Sequence, residues 1–538
     1  RALWGDHDLS AESALAEETA AFLLAIAQKG ARAVMQELGS EKKKPALKIH
    51  SRDNVAVALC DLAAGEPIVF AAGKETLVLQ EGIRRGHKFA LKDFIPGEKV
   101  IKYGFPIGQT KAAVKKGCAL HTHNIATRLD EQWDYVYEPE PPHRTEKKEK
   151  TFQGYRRKNG KTGIRNEIWI IPTVSCVNRT AEILKEYGKA QAEHYHLDGC
   201  QAFTHPYGCS QMGDDQKMTQ TILADLVAHP NAGAVLVVGL GCENNHVEAF
   251  KAFLGDYDAD RVKFLVAQDV EDEVEAGKAM IDELAAIAAK DVRTTCALED
   301  LVIGLKCGGS DGLSGITANP LIGEIADVIT GSGGSAVLTE IPEMFGAEEI
   351  LMNRAASQEV FEKMVRVINS FKNYFTEHHQ TVYENPSPGN KEGGISTLED
   401  KSLGCVQKGG RAQVVDVLDY GERIEKRGLQ VLKGPGNDAV STTVLAAGGC
   451  QMILFSTGRG TPWGTAVPVV KLSTNTALFK KKQNWMDFNA GELVAGKDME
   501  ELRDEFLEYI LRVASGEKVK AEKMGFAEIA IWKDGVTM

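Results

Sequence analysis

From residue 153 onward the chain alternates short, continuous apolar runs with helix-like stretches, and that rhythm leaves few folds open to it. The runs fall at 168–174, 234–240, 263–267, 301–305, 336–338 and 452–455; helix-like stretches fall at 179–187, 216–228, 271–289 and 350–369. A strand covered by helices on both faces is apolar along its whole length. The alternation therefore predicts βαβ units and largely parallel sheets. At 538 residues the chain is too long for one core. A boundary near 295 would divide this part into a second domain, 153–295, and a C-terminal domain, 296–538.

Residues 46–137 read differently. Short β-like runs at 46–50, 55–59, 67–69, 88–91, 99–103 and 118–120, separated by Pro-Gly and Gly-Glu turns, predict a small β-rich domain. The charged, proline-bearing segment 138–152 reads as an exposed linker. Residues 1–45 read as a helical tail with its own linker, since 10–38 is alanine-rich and amphipathic and Lys42, Lys43, Lys44 and Pro45 follow. Because the sequence starts at Arg1, the tail is expected to be the remnant of something longer. A net charge of −12 argues against a nucleic-acid partner. No apolar run approaches the ~20 residues of a membrane span. Ten cysteines in so long a chain, several beside glycines, read as reduced thiols and place the protein in the cytoplasm.

Polar clusters follow successive apolar runs. Ser175, Cys176, Asn178 and Arg179 follow the first; Gly241, Cys242, Glu243, Asn244 and Asn245 the second; Gln268 and Asp269 the third; Glu340 and Glu343 follow 336–338. The most informative is LVIGLKCGGSDGLSGITAN, 301–319. Open α/β sheets bind ligands beyond the carboxyl ends of their strands, and glycine lets backbone N–H groups approach an anion. Lys306, Asp311 and Glu340 are therefore candidate catalytic groups, and Gly308, Gly309 and Ser310 candidate substrate contacts. Arg459, in STGRGT at 456–461, suits bidentate recognition of a carboxylate. The loop 386–394 is long enough for a lid or a binding segment.

In the β-rich domain stands His121-Thr122-His123-Asn124. If this segment is extended, both imidazoles lie on one side, where they could hold a metal or move protons. His50, near Asp53 and Asn54, could add a ligand, and Asn124 a substrate contact. Cys176, Cys209, Cys242 and Cys307 occupy glycine- or asparagine-bearing loops. Their spacing is a poor signal for zinc or a cluster. Convergence on one rim would still allow ligation; the alternative is small buried residues beneath a binding floor.

Three long stretches, GYRRKNGKTGIRNEIWIIPTVSCVNRT (154–180), LKCGGSDGLSGITANPLIG (305–323) and LTEIPEMFGAEEILMNRA (338–355), resemble the altronate and galactarate dehydratase family. HSRDNVAVAL (50–59) and HTHN (121–124) resemble its amino-terminal domain of the SAF type, so the likeness runs over about 46–538. LWG (3–5) and GAR (30–32) resemble the C-terminal tail of the mannitol dehydrogenase and tagaturonate reductase family, which would make residues 1–41 a fusion remnant. The main resemblance implies a multidomain protein: a small β-rich SAF-type domain followed by α/β domains with largely parallel sheets. It further implies a sugar-acid dehydratase using a divalent metal, Fe2+ or Mn2+, and converting D-altronate to 2-dehydro-3-deoxy-D-gluconate and water. A small-molecule sugar acid is the expected partner and a homo-oligomer the expected assembly. Galactarate, another aldonate or aldarate, an oxygen-sensitive iron–sulfur dehydratase, and a non-catalytic sugar-acid-binding protein are the alternatives. In this reading His121 and His123 serve the metal or the proton transfers, with His50 as a further metal ligand.

Overall fold

The computed structural model describes residues 45–70, 75–129, 134–143, 145–535 and 537. The helical tail expected at 1–45 lies outside them but for Pro45. The small N-terminal domain is built from two antiparallel sheets and a hairpin. One sheet runs Ala46–Leu47, Val55–Ala58, Lys88–Ala90, Ala119–Leu120; the other runs Lys99–Lys102, Phe105–Thr110, Ile125–Ala126. The hairpin pairs Pro67–Phe70 with Glu75–Val78. Such short strands cannot enclose a core unaided. Val55, Ile107, Leu120 and Ile125 instead join a continuous core with Leu313, Ile316 and Leu398 of the C-terminal domain.

Charge fixes this docking. Lys88 and Lys102 of the small domain both reach Asp400, each at 2.9 Å, and all three side chains are buried. Burial opposes the Asp400 carboxylate, but Lys102 and Lys88 outweigh it and hold the group well below the usual carboxylate range. Asp400 lies in the helix Leu398–Cys405, capped by Thr397, whose hydroxyl also donates to the Ile107 carbonyl at 2.5 Å.

The segment 134–150 is strapped down rather than free. Tyr135 donates to Glu348 at 2.7 Å and Tyr137 to the Ala355 carbonyl at 2.6 Å, while Lys148 and Lys150 pair with Asp504 and Glu508. Its charges look like those of a solvated linker, yet they match partners on the C-terminal domain.

The second domain has a four-stranded, all-parallel sheet in the order Gly199–Ala202, Glu167–Pro172, Ala232–Gly239, Val262–Val266. Helices Asn178–His194 and Glu273–Ala288 cover one face. Helix Gly213–Val227 covers the other and shares a core with the C-terminal domain. The strand Thr151–Arg156 at the entrance pairs antiparallel with Thr294–Ala297 at the exit.

The C-terminal domain carries seven parallel strands in the order Val414–Leu418, Gly428–Leu432, Ser335–Leu338, Val302–Cys307, Met452–Thr457, Val469–Ser473, Phe488–Asn489. The chain fills the sheet on one side of Val302–Cys307 first, laying the edge strand Val414–Leu418 before Gly428–Leu432 inside it, and then builds outward on the other side. The glycine-rich loop after Val302–Cys307 therefore sits where strand order reverses, which is where such sheets bind ligands. Among the described residues no helix is long and apolar enough to cross a membrane.

Asp400→Ala strands two buried ammonium groups and is expected to cost about 3–5 kcal/mol, seen as a lower urea midpoint. Replacing Lys88 and Lys102 by methionine alongside Asp400→Leu is expected to restore most of that loss.

Candidate active site

Beyond the central strand lies a buried set of alternating charges. Lys306, fully buried, meets the Glu340 carboxylate, Asp438 at 3.0 Å and the carbonyls of Cys307 and Gly436 at 3.2 and 3.3 Å. Glu340 follows its strand with φ of 69°, a left-handed conformation that costs a non-glycine residue on the order of 1 kcal/mol. The site over-determines it: the other Glu340 oxygen accepts from Lys408 at 3.2 Å and from the Cys307 N–H at 3.1 Å. Glu343 takes Lys401 at 2.8 Å and the Cys405 thiol at 3.3 Å. Cys307 Sγ lies 2.7 Å from Ser310 Oγ.

Such a set pushes like groups apart. Burial raises Glu340 to about 7 against the pull of Lys306 and Lys408. Burial also disfavours the Glu343 carboxylate, but Lys401 and the neighbouring lysines win and bring it to about 2. Burial opposes the Lys306 ammonium, yet Glu340 and Asp438 hold it charged. A carboxyl raised toward neutral pH beside one held ionised, with fixed cations between them, is what acid–base chemistry at neutral pH requires.

Other candidates on this rim turn out to be structural. The Gly308 N–H, expected at an anion, donates to the Ser456 carbonyl at 3.0 Å. The Gly309 carbonyl accepts from the N–H groups of Gly458 and Arg459 at 3.1 and 3.0 Å. The two glycines thus stitch neighbouring loops together. Ser310 is buried, and its carbonyl accepts from Asn390 at 2.9 Å. Asp311 ties four groups, the Leu313 N–H, Ser314, Thr474 and Asn475, which suits a brace better than a proton carrier. Arg459, half exposed, pairs with Glu392 at 2.9 Å, so a substrate carboxylate would have to displace that partner.

The small domain completes the site. Its turn at Gly86 presses on the glycine-rich loop so closely that a Cβ on Gly312 would stand 1.9 Å from the Gly86 carbonyl oxygen. Next to this contact His87 Nε2 donates to the Glu392 carbonyl at 3.1 Å, and the His87 and His121 rings meet edge to face at 5.0 Å. His121 Nδ1 is buried without a hydrogen-bond partner among the described residues. Burial first, then Lys88 and His87, lowers His121 to about 4; burial lowers His87 as well. Both imidazoles are therefore neutral at neutral pH. A narrow cleft between the domains is lined by Lys102 and Tyr103 on one side and by Ser310, Asn319 and Lys401 on the other.

HTHN itself is a turn rather than a strand, so its two imidazoles are not set side by side by alternation. Asn124 folds back, accepting from the His121 N–H and donating to the Ala119 carbonyl, both at 2.9 Å, and so braces the turn instead of facing a substrate. His50 closes a local turn, its Nδ1 accepting from the Arg52 N–H at 3.1 Å. Among the described residues no three His, Cys, Asp or Glu side chains are gathered as a metal ion needs, so His50, His121 and His123 do not form a ligand set. The pair that does meet is His87 with His121. Sequence reasoning missed His87, Lys401 and Lys408, because nothing local marks a lysine as buried or a histidine as facing another domain; Glu392 lies in the loop 386–394 that it did single out.

Folding keeps His121 neutral, as it does His205 and His229, lowered by burial to about 4 and about 3. The unfolded chain takes up these protons near pH 6.5 and the native one does not, so stability is full above 6.5 and falls as pH drops toward about 4. Urea midpoints measured across that window should decline, and His121→Gln should make the decline shallower.

Three family descriptions match consecutive parts of the chain: "Altronate/galactarate dehydratase SAF domain" over 44–128, "D-galactarate dehydratase/Altronate hydrolase, second domain" over 154–289, and "D-galactarate/Altronate dehydratase, C-terminal" over 298–537. The chain is 51% identical over 498 residues to the altronate dehydratase of Escherichia coli K12, covering 91% of this chain and 99% of that one. It is 51% identical over 501 residues to the altronate dehydratase of Bacillus subtilis 168, covering 92% and 100%. The galactarate dehydratase (L-threo-forming) of E. coli K12 is 33% identical over 500 residues, covering 88% and 93%. The matched family regions begin at residue 44, beyond the tail whose likeness pointed to a reductase.

Proposed function

The chain belongs to the altronate/galactarate dehydratase family, and from that premise we propose that it is a hydro-lyase converting D-altronate to 2-dehydro-3-deoxy-D-gluconate and water. Two relatives named altronate dehydratase are 51% identical over nearly their whole length, against 33% for the relative named for galactarate, which favours altronate. The structural observation that carries the reading is a neutral imidazole with an unpartnered buried nitrogen, His121, standing where the small domain meets the rim of the central strand.

The reaction removes the proton from C2, alpha to the carboxylate, and expels the C3 hydroxyl as water. The resulting enol takes a proton at C3 and becomes the 2-keto-3-deoxy acid. A base must accept the first proton, and neutral His121 is suited to it. Glu340, raised to about 7, is protonated in about half of the molecules at neutral pH, and that form can give its proton to the departing hydroxide. The ammonium groups of Lys306 and Lys408, already fixed, stabilise charge spreading onto the carboxylate as C2 is deprotonated. Closure of the small domain over the rim excludes water and strengthens these interactions.

Ferrous or manganous ion belongs to the proposal through the family resemblance; bound, it would supply Lewis acidity. The imidazole pair is short of a three-donor set, so every proton transfer is assigned to the chain's own residues. A cytoplasmic setting is part of the reading, supported by ten cysteines of which none is in a disulfide. So is a homo-oligomer, supported by Met212, Phe253, Tyr257 and Val270, which leave apolar surface exposed on the second domain.

Incubated with altronate and galactarate in parallel, the protein should form 2-keto-3-deoxy acid faster from altronate, and His121→Ala should lower kcat/KM by roughly 10²–10⁴-fold with its melting transition unchanged. Preference for galactarate would overturn the substrate, and a fully active variant would overturn the base. Chelation should abolish turnover and ferrous or manganous ion restore it; an enzyme indifferent to both needs no metal.

A further inference from the structure

Three of the four strands in the parallel sheet of the second domain end in loops that carry a cysteine: Cys176 after Glu167–Pro172, Cys209 after Gly199–Ala202 and Cys242 after Ala232–Gly239. Two of these leave the sheet level with each other. Pro172 is paired with Val238, and Cys176 and Cys242 each come four residues later (176 − 172 and 242 − 238).

The third loop is stitched between the other two. The Ser175 N–H donates to the Tyr207 carbonyl at 2.9 Å, the Asn245 N–H to the Gly208 carbonyl at 3.1 Å, and the Ser210 N–H to Asn244 Oδ1 at 2.9 Å. Cys209 stands between Gly208 and Ser210, both held in this way. Gly208 lies so close to the end of its neighbouring strand that a Cβ there would come within 2.0 Å of the Thr173 carbonyl oxygen. From the fourth strand's loop, the Gln268 amide donates to Cys242 Sγ at 3.5 Å.

All three thiols are exposed and outside any disulfide, whereas Cys200, Cys296, Cys307, Cys405 and Cys450 are buried. Packing beneath a binding floor therefore explains Cys307 and not these three. A single zinc ion needs its thiolates ~2.3 Å from one point. Among the described residues no three candidate ligands are gathered so tightly. An iron–sulfur cube is a larger body, holding its thiolates farther apart, and amide donors such as Gln268 tune cluster sulfurs and thiolates.

We propose that Cys176, Cys209 and Cys242 bind an iron–sulfur cube through three thiolates, leaving its fourth iron open to water or to the oxygens of an α-hydroxy carboxylate. Each thiol gives up its proton to solvent on ligation. The site deepens the dehydration reading, on which it rests only for the class of oxygen ligand, and it puts iron in the second domain rather than on the imidazoles.

The full chain, purified without oxygen and reconstituted with equal amounts of ferrous and ferric iron and with sulfide, should turn brown and hold nearly equal amounts of iron and acid-labile sulfide. Cys176→Ser, Cys209→Ser and Cys242→Ser should each lose most of both with an unchanged circular dichroism spectrum, while Cys60→Ser, exposed on the small domain, keeps both. A reconstituted protein that stays colourless, or three serine variants as brown as the parent, would overturn the inference. A colourless protein that still dehydrates altronate removes the cluster and leaves the activity. A brown protein inert toward every sugar acid leaves the cluster and removes the activity.

Discussion

Two ammonium groups closing on one carboxylate decide how this molecule is put together. Lys88 and Lys102 come from the small domain, Asp400 from the C-terminal domain, and none of the three touches water. Charges in an apolar interior persist only when paired, so this triad permits one docking and penalises any displacement. From it follow the contact of Gly86 with Gly312, the reach of His87 to Glu392, and the place of His121 at the rim. The same helix continues the pattern inward. One residue after Asp400, Lys401 turns to Glu343; Cys405 and Lys408 follow, toward Glu343 and Glu340. Docking and the charged site are thus two ends of one polar seam.

Much of the scaffold was legible because burial on both faces writes itself into composition. The apolar runs at 168–174, 234–240, 301–305 and 452–455 are strands of parallel sheets, and 301–305 is central to the larger one. Strands Val414–Leu418, Gly428–Leu432 and Val469–Ser473 escaped notice. They carry Asp416, Gln430 and Lys471 among their apolar residues, buried polar groups that break the run. The HTHN motif was misread for a local reason: Asn124 caps a turn through its own amide, which period-two alternation cannot reveal.

At the site the legible part was the location. Loops at strand ends could be found from glycine and polar clusters, and Lys306 and Glu340, picked out this way, do meet. The roles were less visible, because they depend on partners far away in sequence. Gly308 and Gly309 look like an anion cradle until Ser456 and Gly458 are seen opposite them. Lys401 and Lys408 sit in an ordinary charged stretch, and only the third dimension surrounds them with carboxylates. The substrate class came from the resemblance of long motifs to a known family, with which the relatives agree; no single geometric feature names it.

The antiparallel pairing of Thr151–Arg156 with Thr294–Ala297 has its own implication for how this architecture can vary. The backbone enters and leaves the second domain side by side, and Gln153 at the gate is also tied to Ser515 of the C-terminal domain at 3.0 Å. The second domain is thus threaded through one doorway, but it does not hang free: helix Gly213–Val227 shares a core with the C-terminal domain, and Arg165 and Asp225 pair with Glu522 and Arg423 of that domain. The face covered by helices Asn178–His194 and Glu273–Ala288, whose core is drawn from the second domain itself, can therefore vary more freely than the face whose core is shared, where each change must suit both domains.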